Sequence, residues 1–351
     1  MSVFAPGASN HLAPGTIDEM SELYREFDAN RTTTTVVGGG THFGVGNPVL
    51  ADASVSTERL DSIIDHQPED LTLTVEAGVT VGEIEALLEP HRQTAALPET
   101  NPDATIGGVV AAGISGYRRN RFGPTRDRVL EVTVVTGDGR IVTGGARVVK
   151  NVSGYDLPRL VTGSFGALGV IVSVCLKLWP EPDARATVRL GDAADGHRVH
   201  RPMAVLETEE GAWAYLQGPA AEVSSAASIG TIEADDFTWP SLDAPGTAEI
   251  RVPSSLVPRA VERLDVPFIA QHGVGVVEVA SEDPEVLLSE RSWCESVGGS
   301  LVVTSRSGPL DAVPAVDPWG TPPAAMSLQR RLIAGFDPHR IINRGRLPGG
   351  I

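Results

Sequence analysis

Two runs decide how this chain is read: Ala104-Thr105-Ile106-Gly107-Gly108-Val109-Val110-Ala111-Ala112-Gly113, and Gly163-Ser164-Phe165-Gly166-Ala167-Leu168-Gly169-Val170-Ile171. In the first, Thr105 is placed to cap a helix made of glycine and alanine, which has poor helical propensity but allows very close approach. The dipole at such a helix start favours an anion. The second is a glycine-rich turn running straight into a long β-pattern, Val170 to Leu178. Glycines at such junctions leave room for a flat or charged group against the backbone. A third run lies upstream, where a strand over Thr32 to Val37 ends in Gly38-Gly39-Gly40-Thr41-His42-Phe43. Its successive N–H groups can form a nest for a pyrophosphate. No glycine stands three residues after Gly40, so the GxGxxG dinucleotide fingerprint fails and a plain Rossmann enzyme is disfavoured. Three separate glycine elements point to a bound cofactor.

Around these runs the pattern mixes helices and strands. Thr16-Ile17-Asp18-Glu19 reads as a capping box opening a helix over 16–28, and Thr80-Val81-Gly82-Glu83 as a second, running to Leu88. Short strands or turns are predicted at Leu60 to Ile64 and Leu71 to Val75, and a hairpin over Val129 to Thr143 around Gly137-Asp138-Gly139. Pro180-Glu181-Pro182 stops the 170–178 strand and marks the boundary of a first domain, 1–183. A smaller mixed unit, 184–325, follows, and Met326 to Phe336 has helical spacing at the start of a closing segment, 326–351. No internal repeat is found. The expected class is α+β.

Composition removes several function classes. At 351 residues two subdomains are expected. A net charge of −17 argues against nucleic acid and anionic lipid as partners. No run approaches the roughly 18 apolar residues of a membrane span, and the N-terminus lacks a signal pattern, so a cytoplasmic protein without a direct membrane span is expected. Cys175 and Cys294 are far apart with no CxxC, which speaks against a disulfide framework or thiolate zinc site. The only lysines are Lys150 and Lys177, neither following a glycine, so there is no Walker A loop. There is no Gly-x-Ser-x-Gly, and Ser115 and Ser164 sit in turns where small size accounts for them.

Taken together, Pro98-Glu99-Thr100, Ile106-Gly107-Gly108, Phe122-Gly123-Pro124-Thr125-Arg126-Asp127, Val149-Lys150-Asn151-Val152-Ser153-Gly154-Tyr155-Asp156-Leu157 and Gly163 to Leu178 resemble the FAD-binding half of the vanillyl-alcohol-oxidase-type (PCMH) flavoproteins. Within them the likeness is greatest to the FAD-binding subunits of bacterial glycolate oxidases. Phe336-Asp337-Pro338-His339-Arg340-Ile341-Ile342-Asn343-Arg344-Gly345-Arg346 is similar to the family's closing signature. The resemblance implies an FAD domain of two subdomains, a cap over the flavin, and a tail returning to the FAD domain. It implies Gly38, Gly39, Gly40, Thr41, His42 and Phe43 as the pyrophosphate loop, with Thr105, Ile106, Gly107 and Gly108 beside it. Gly113 and Gly116 would lie near the flavin, Gly123 near the approach to the ring, and Gly169, Val170 and Ile171 at the adenine or ring edge, with Pro98 also among the cofactor-binding candidates. Two departures stand out: Gly166-Ala167-Leu168-Gly169 replaces Gly-Thr-Leu-Gly, and Asn343-Arg344-Gly345 replaces Asn-Pro-Gly. Covalently flavinylated relatives carry histidine where Thr41 stands, so non-covalent FAD is expected.

Oxidation of a 2-hydroxy acid needs a flavin to accept hydride, a cation for the carboxylate and a base or metal for the hydroxyl proton. Arginine suits the carboxylate through its planar fork. Arg118, Arg119 and Arg121 cluster after the glycine-rich helix and Arg344 and Arg346 lie in the tail; Arg118 and Arg344 are taken as the substrate-binding candidates. His272 could serve as a base but reads as structural, His197 and His200 as exposed, and Tyr155-Asp156 as a packing and turn element. No metal-binding histidine cluster is found, and the catalytic base stays unassigned. The function implied by the resemblance is an FAD-dependent oxidoreductase subunit acting on glycolate or D-lactate and passing electrons to flavin and iron–sulfur partner subunits, through which a cytoplasmic chain would associate with a membrane. The alternatives are an FAD-binding relay or structural subunit without substrate chemistry, and a stand-alone oxidase of another alcohol.

Overall fold

Val170–Lys177 is apolar at almost every position, as a strand covered on both faces should be. The computed structural model, which describes residues 10–99, 101–147, 155–306 and 314–351, makes it the centre of a five-stranded antiparallel sheet. The strand order is Ile63–Gln67, Thr72–Glu76, Val170–Lys177, Val129–Val135, Ile141–Gly145. Val170 and Val172 enter one core with Met20, Tyr24 and Phe27, while Ile171, Val174 and Leu176 enter another with Ile84, Ile106 and Val109. The parity changes where the register against Val129–Val135 steps between Thr133 and Val134, a bulge that turns the strand's faces over. Of the residues quoted for the family likeness, Thr100 and Val149 to Gly154 lie outside the described residues.

The helix starts follow local chemistry. Thr16 Oγ1 accepts the Glu19 N–H at 3.1 Å, but the Glu19 carboxylate turns to the Gly15 N–H at 2.7 Å, so the first capping box is only half formed. The second is complete: Thr80 Oγ1 accepts from Glu83 N at 3.2 Å and Glu83 Oε2 from Thr80 N at 2.8 Å, a motif worth about 1 kcal/mol. Asp156 caps Leu157–Val161 by accepting the Arg159 N–H at 3.0 Å, while Tyr155 is 98% exposed, so the pair works as a cap and the ring does no packing.

A three-stranded parallel sheet, ordered Asn10–Leu12, Ala53–Ser56, Thr34–Val37, receives the tail of the chain. After the Met326–Phe336 helix, buried Asp337 accepts the N–H groups of Ile341 and Ile342 at 3.0 and 2.8 Å. That turn brings the tail alongside Thr34, which donates to Ile341 O at 2.6 Å and accepts from Asn343 N at 2.9 Å. Gln93–Thr94 and Trp179–Pro180 form a two-stranded antiparallel pair, and the other strands form an eight-stranded antiparallel sheet that ends with Phe268–Gln271, Val276–Ala280, Thr247–Arg251 and Ser300–Ser305. Alternation gives these strands two faces. Ala248, Ile250, Val277, Val279, Leu301 and Val303 share a core with Val257, Ala260 and Leu287 of the covering helices. Glu249, Arg251, Glu278, Val302 and Thr304 look the other way, into a cavity against the first half of the chain. The fold is α+β, and among the described residues no helix is long and apolar enough to cross a membrane.

Candidate functional site

The Thr34–Val37 strand delivers residues 38–43 to the start of the Ile106–Ala112 helix. Thr105 Oγ1 stitches the two together, accepting from Gly108 N at 3.3 Å and Gly39 N at 3.4 Å. A Cβ on Gly38 would run into Thr105 Oγ1 and one on Gly39 into the Asp103 carbonyl, while one on Gly107 would come within 2.7 Å of Ala77 Cβ. These three glycines are therefore small for the sake of the protein's own packing. Gly108 differs, since a Cβ there would meet only Thr105 Oγ1, at 3.1 Å, and would otherwise point into open space.

Between these elements lies a cavity open to solvent on one side. It gathers Gly38 to Phe43, Thr105, Gly107, Gly108, Gly169 and Ile171 from the sequence candidates, and leaves Pro98, Ile106, Gly123 and Val170 out of its wall. The helix dipole is not its anion-binding device. The helix is seven residues long, and the N–H groups of Ile106, Gly107 and Gly108 are already bonded to Val79 O, Ala77 O and Thr105 Oγ1. In the loop, by contrast, the N–H groups of Gly40, Thr41 and His42 find no acceptor among the described residues, and Gly40 has φ 71°. Successive unbonded N–H groups of this kind make an anion nest.

A cation completes the nest. Arg346 is 7% exposed, lines the cavity, and has no carboxylate within 4.0 Å among the described residues. Its guanidinium donates to Phe43 O at 2.8 Å and lies 5.4 and 5.9 Å from the Phe43 and Phe165 ring centres. Burial, followed by repulsion from Arg306, brings its pKa down to about 10. A buried charge without a counter-ion is costly, and an anion in the cavity would relieve that cost. Asn343 fixes the tail beside it, accepting from Val36 N at 2.9 Å and donating to Phe165 O at 2.8 Å. Free N–H groups facing an uncompensated cation fit the pyrophosphate of a dinucleotide.

His42, Ala112 and Phe165 also belong to the wall of a second, larger cavity. Burial lowers the His42 pKa, which favours a neutral imidazole at this junction. Gly113 and Gly116 lie on the near wall, and the polar face of the eight-stranded sheet forms the far one. The segment between is held by Arg128, fully buried, which donates to Ala96 O, Ser115 O and Gly123 O and is brought down to about 10 by burial. Arg128→Met strands those carbonyls at about 1–3 kcal/mol each, so we expect roughly 3 kcal/mol of lost stability, read from the urea midpoint. Tyr117 anchors the same segment in a cluster with Met203, Leu206 and Ile269, and its N–H donates to Glu99 Oε2 at 2.7 Å.

The charged residues of this cavity are not those the sequence singled out. Arg118 is ion-paired with Glu99 at 2.8 Å and faces a different cleft, and Arg344 is exposed. Their neighbour Arg119 lines the cavity, is half-buried with its pKa lowered by burial, and has no carboxylate within 4.0 Å among the described residues. Glu249, ion-paired with Arg251, and Glu278, bonded to Gln271, face it from the sheet side of the wall. His272 is engaged by Glu207 at 2.6 Å and stands outside this lining, while His197 and His200 are exposed. Ser115 has a structural job, with its hydroxyl accepting from Thr125 N at 3.2 Å. No group of three or more metal-ligating side chains occurs among the described residues.

A family profile described as an FAD binding domain matches residues 9–145. Glycolate oxidase subunit GlcE of Escherichia coli K12 is 31% identical over 252 residues, covering 68% of this chain and 70% of that protein. The chain belongs to the PCMH-type FAD-binding oxidoreductases. Glycolate oxidase subunit GlcD of Bacillus subtilis 168 is 32% identical over 179 residues, 50% of this flavoprotein but only 38% of GlcD. A solved alkyldihydroxyacetonephosphate synthase shares the fold, with TM-score 0.67 at 14% identity over 95% of this chain and 76% of that one. FAD is the cofactor, and the nest with Arg346 suits its pyrophosphate on charge and on free donors. Gly108→Val puts a side chain into that cavity without meeting backbone. We expect it to abolish flavin retention while the apoprotein keeps its melting temperature, whereas Gly39→Val is expected to fail in folding; flavin absorbance and thermal melts measure the two.

Proposed function

We propose that this flavoprotein oxidises a small 2-hydroxy acid, glycolate or D-lactate, and hands the electrons to a partner subunit. The observation that carries the reading is the second cavity, where a half-buried Arg119, with no carboxylate within 4.0 Å among the described residues, shares one wall system with the carboxylate of Glu278. Arg119 supplies a planar fork for the acid's carboxylate, and water exclusion strengthens that bond. Arg251 is tied to Glu249 and contributes little further charge. FAD, when bound, supplies the two-electron oxidant that takes hydride from the carbinol carbon. The pyrophosphate is assigned to the Gly40–His42 nest and Arg346, and the bond to the cofactor is non-covalent because Thr41 has no nucleophilic ring nitrogen to offer.

The names of the relatives support an acid substrate and an assembly of subunits: both are glycolate oxidase subunits. Electrons leaving the chain need an external acceptor, since two cysteines, both buried, are too few to ligate an iron–sulfur cluster. The test is an anaerobic titration of the purified yellow protein with glycolate and with D-lactate. We expect the flavin absorbance to bleach with one of them and to recover when an electron acceptor is added. A chain that retains FAD and is bleached by neither acid would instead be a relay within its assembly.

A further inference from the structure

The geometry points to Glu278 as the group that takes the hydroxyl proton of the acid, held in position by Gln271. This rests on the oxidoreductase reading above. Polar residues on a sheet face ordinarily meet water, but Glu278, on Val276–Ala280, meets the walled cavity that also holds Arg119. One carboxylate oxygen accepts from Gln271 Nε2 at 3.2 Å, and the other receives no hydrogen bond among the described residues. Gln271 is 4% exposed and its own Oε1 is buried without a partner among the described residues, a further acceptor left open at the same wall.

A second carboxylate neighbours the first. Glu249 stands directly across the strand pair from Glu278 and is ion-paired with Arg251. Burial first, then the Glu249 charge, with a smaller push from Glu99, lift Glu278 to about 7 against the lowering effect of Gln271. The wall opposite carries the titratable or charged groups Tyr117, Arg119, Arg126, Glu99 and His42. A carboxyl raised toward neutrality by burial and by a neighbouring carboxylate is suited to take up a proton in the working pH range. In the step, the substrate O–H bond breaks and its proton passes to a Glu278 oxygen. The carbinol C–H bond breaks with its electron pair leaving as hydride, a C=O bond forms, and the 2-hydroxy acid becomes a 2-oxo acid as the oxidant FAD is reduced by two electrons.

The test uses the FAD-loaded protein with Glu278→Gln and Glu278→Asp. Flavin content should not change, since Glu278 lies outside the first cavity. The rate of anaerobic reduction should fall by about 10²–10⁴-fold in Glu278→Gln, with partial recovery in Glu278→Asp. The wild-type rate should rise with pH through about 7 as the carboxylate deprotonates, and Glu278→Gln should lose that rise. Infrared difference spectra give a readout apart from turnover. A protonated-carboxyl band should titrate near neutrality, vanish in Glu278→Gln, and move to higher pH when oxalate, a non-oxidisable acid, brings negative charge beside it. Unchanged reduction in Glu278→Gln, or a titration indifferent to oxalate, overturns the assignment. If neither hydroxy acid bleaches the wild type, the oxidoreductase reading fails by itself, and the oxalate arm still decides whether Glu278 faces the bound acid.

Discussion

Replacing Arg346 by methionine is expected to strip the flavin from the protein while leaving the empty fold standing. Truncating one partner of a buried charge pair costs about 2–5 kcal/mol, which raises the FAD dissociation constant by roughly thirty-fold to a few thousand-fold. The apoprotein should behave in the opposite sense. Without an anion, Arg346 is a buried charge met, among the described residues, by the carbonyl oxygens of His42, Phe43 and Asn47 and by the Phe43 and Phe165 rings, and exchange for an apolar side chain of similar length is often neutral or stabilising. The apo melting temperature of Arg346→Met should therefore match or exceed that of wild type, and the rise on adding FAD should shrink. Arg346→Lys keeps the charge but loses the fork, so its flavin affinity should fall between the two. An apo form that melts far below wild type would make Arg346 a structural tie between the tail and residues 42–47. Flavin fluorescence titration and paired apo and holo melts separate these outcomes.

What could be read from the sequence was what depends on the backbone and on near neighbours. The Gly38-Gly39-Gly40 run declares a loop of unusual approach, and Thr80 and Glu83 declare a helix start, because each works within a few residues of itself. The purpose of individual glycines was less legible. Gly39 and Gly107 are forced by Asp103 and Ala77, and the helix N–H groups are claimed by Val79 and Ala77, contacts made across a turn of the fold that spacing does not encode. Arg346 is harder still, since the loop it serves lies some three hundred positions earlier in the chain. The far wall of the second cavity was invisible for another reason. Thr247-Ala248-Glu249-Ile250-Arg251 alternates as a strand with one wet face should, and nothing local says that this face looks into a cavity instead of water. Arg119 was in view with Arg118 and Arg121, but that Glu99 takes Arg118 and that Arg119 is the member lining the cavity are settled by contacts across the fold.

That choice has a measurable consequence. With Arg118 occupied, Arg119→Met should remove the carboxylate anchor without touching the flavin, whose nest is built from other residues. A bidentate charge-assisted contact in a partly dry site is worth about 3–4 kcal/mol, so kcat/KM for glycolate or D-lactate should drop by roughly 10²–10³-fold. Because the carboxylate is held equally before and during hydride loss, most of the drop should sit in KM, unlike the kcat effect expected of Glu278→Gln. Selectivity offers a sharper reading. Wild type should prefer D-lactate strongly over propane-1,2-diol, which has the hydroxyl but no carboxylate, and Arg119→Met should lose that preference by weakening on the acid alone. Arg118→Met, in contrast, frees Glu99 in a buried place and should act through stability and local order before it acts on KM. If Arg119→Met keeps both its KM and its preference for the acid, the carboxylate is held by another cation of the wall, and Arg126, which lines the same cavity, is the residue to change next.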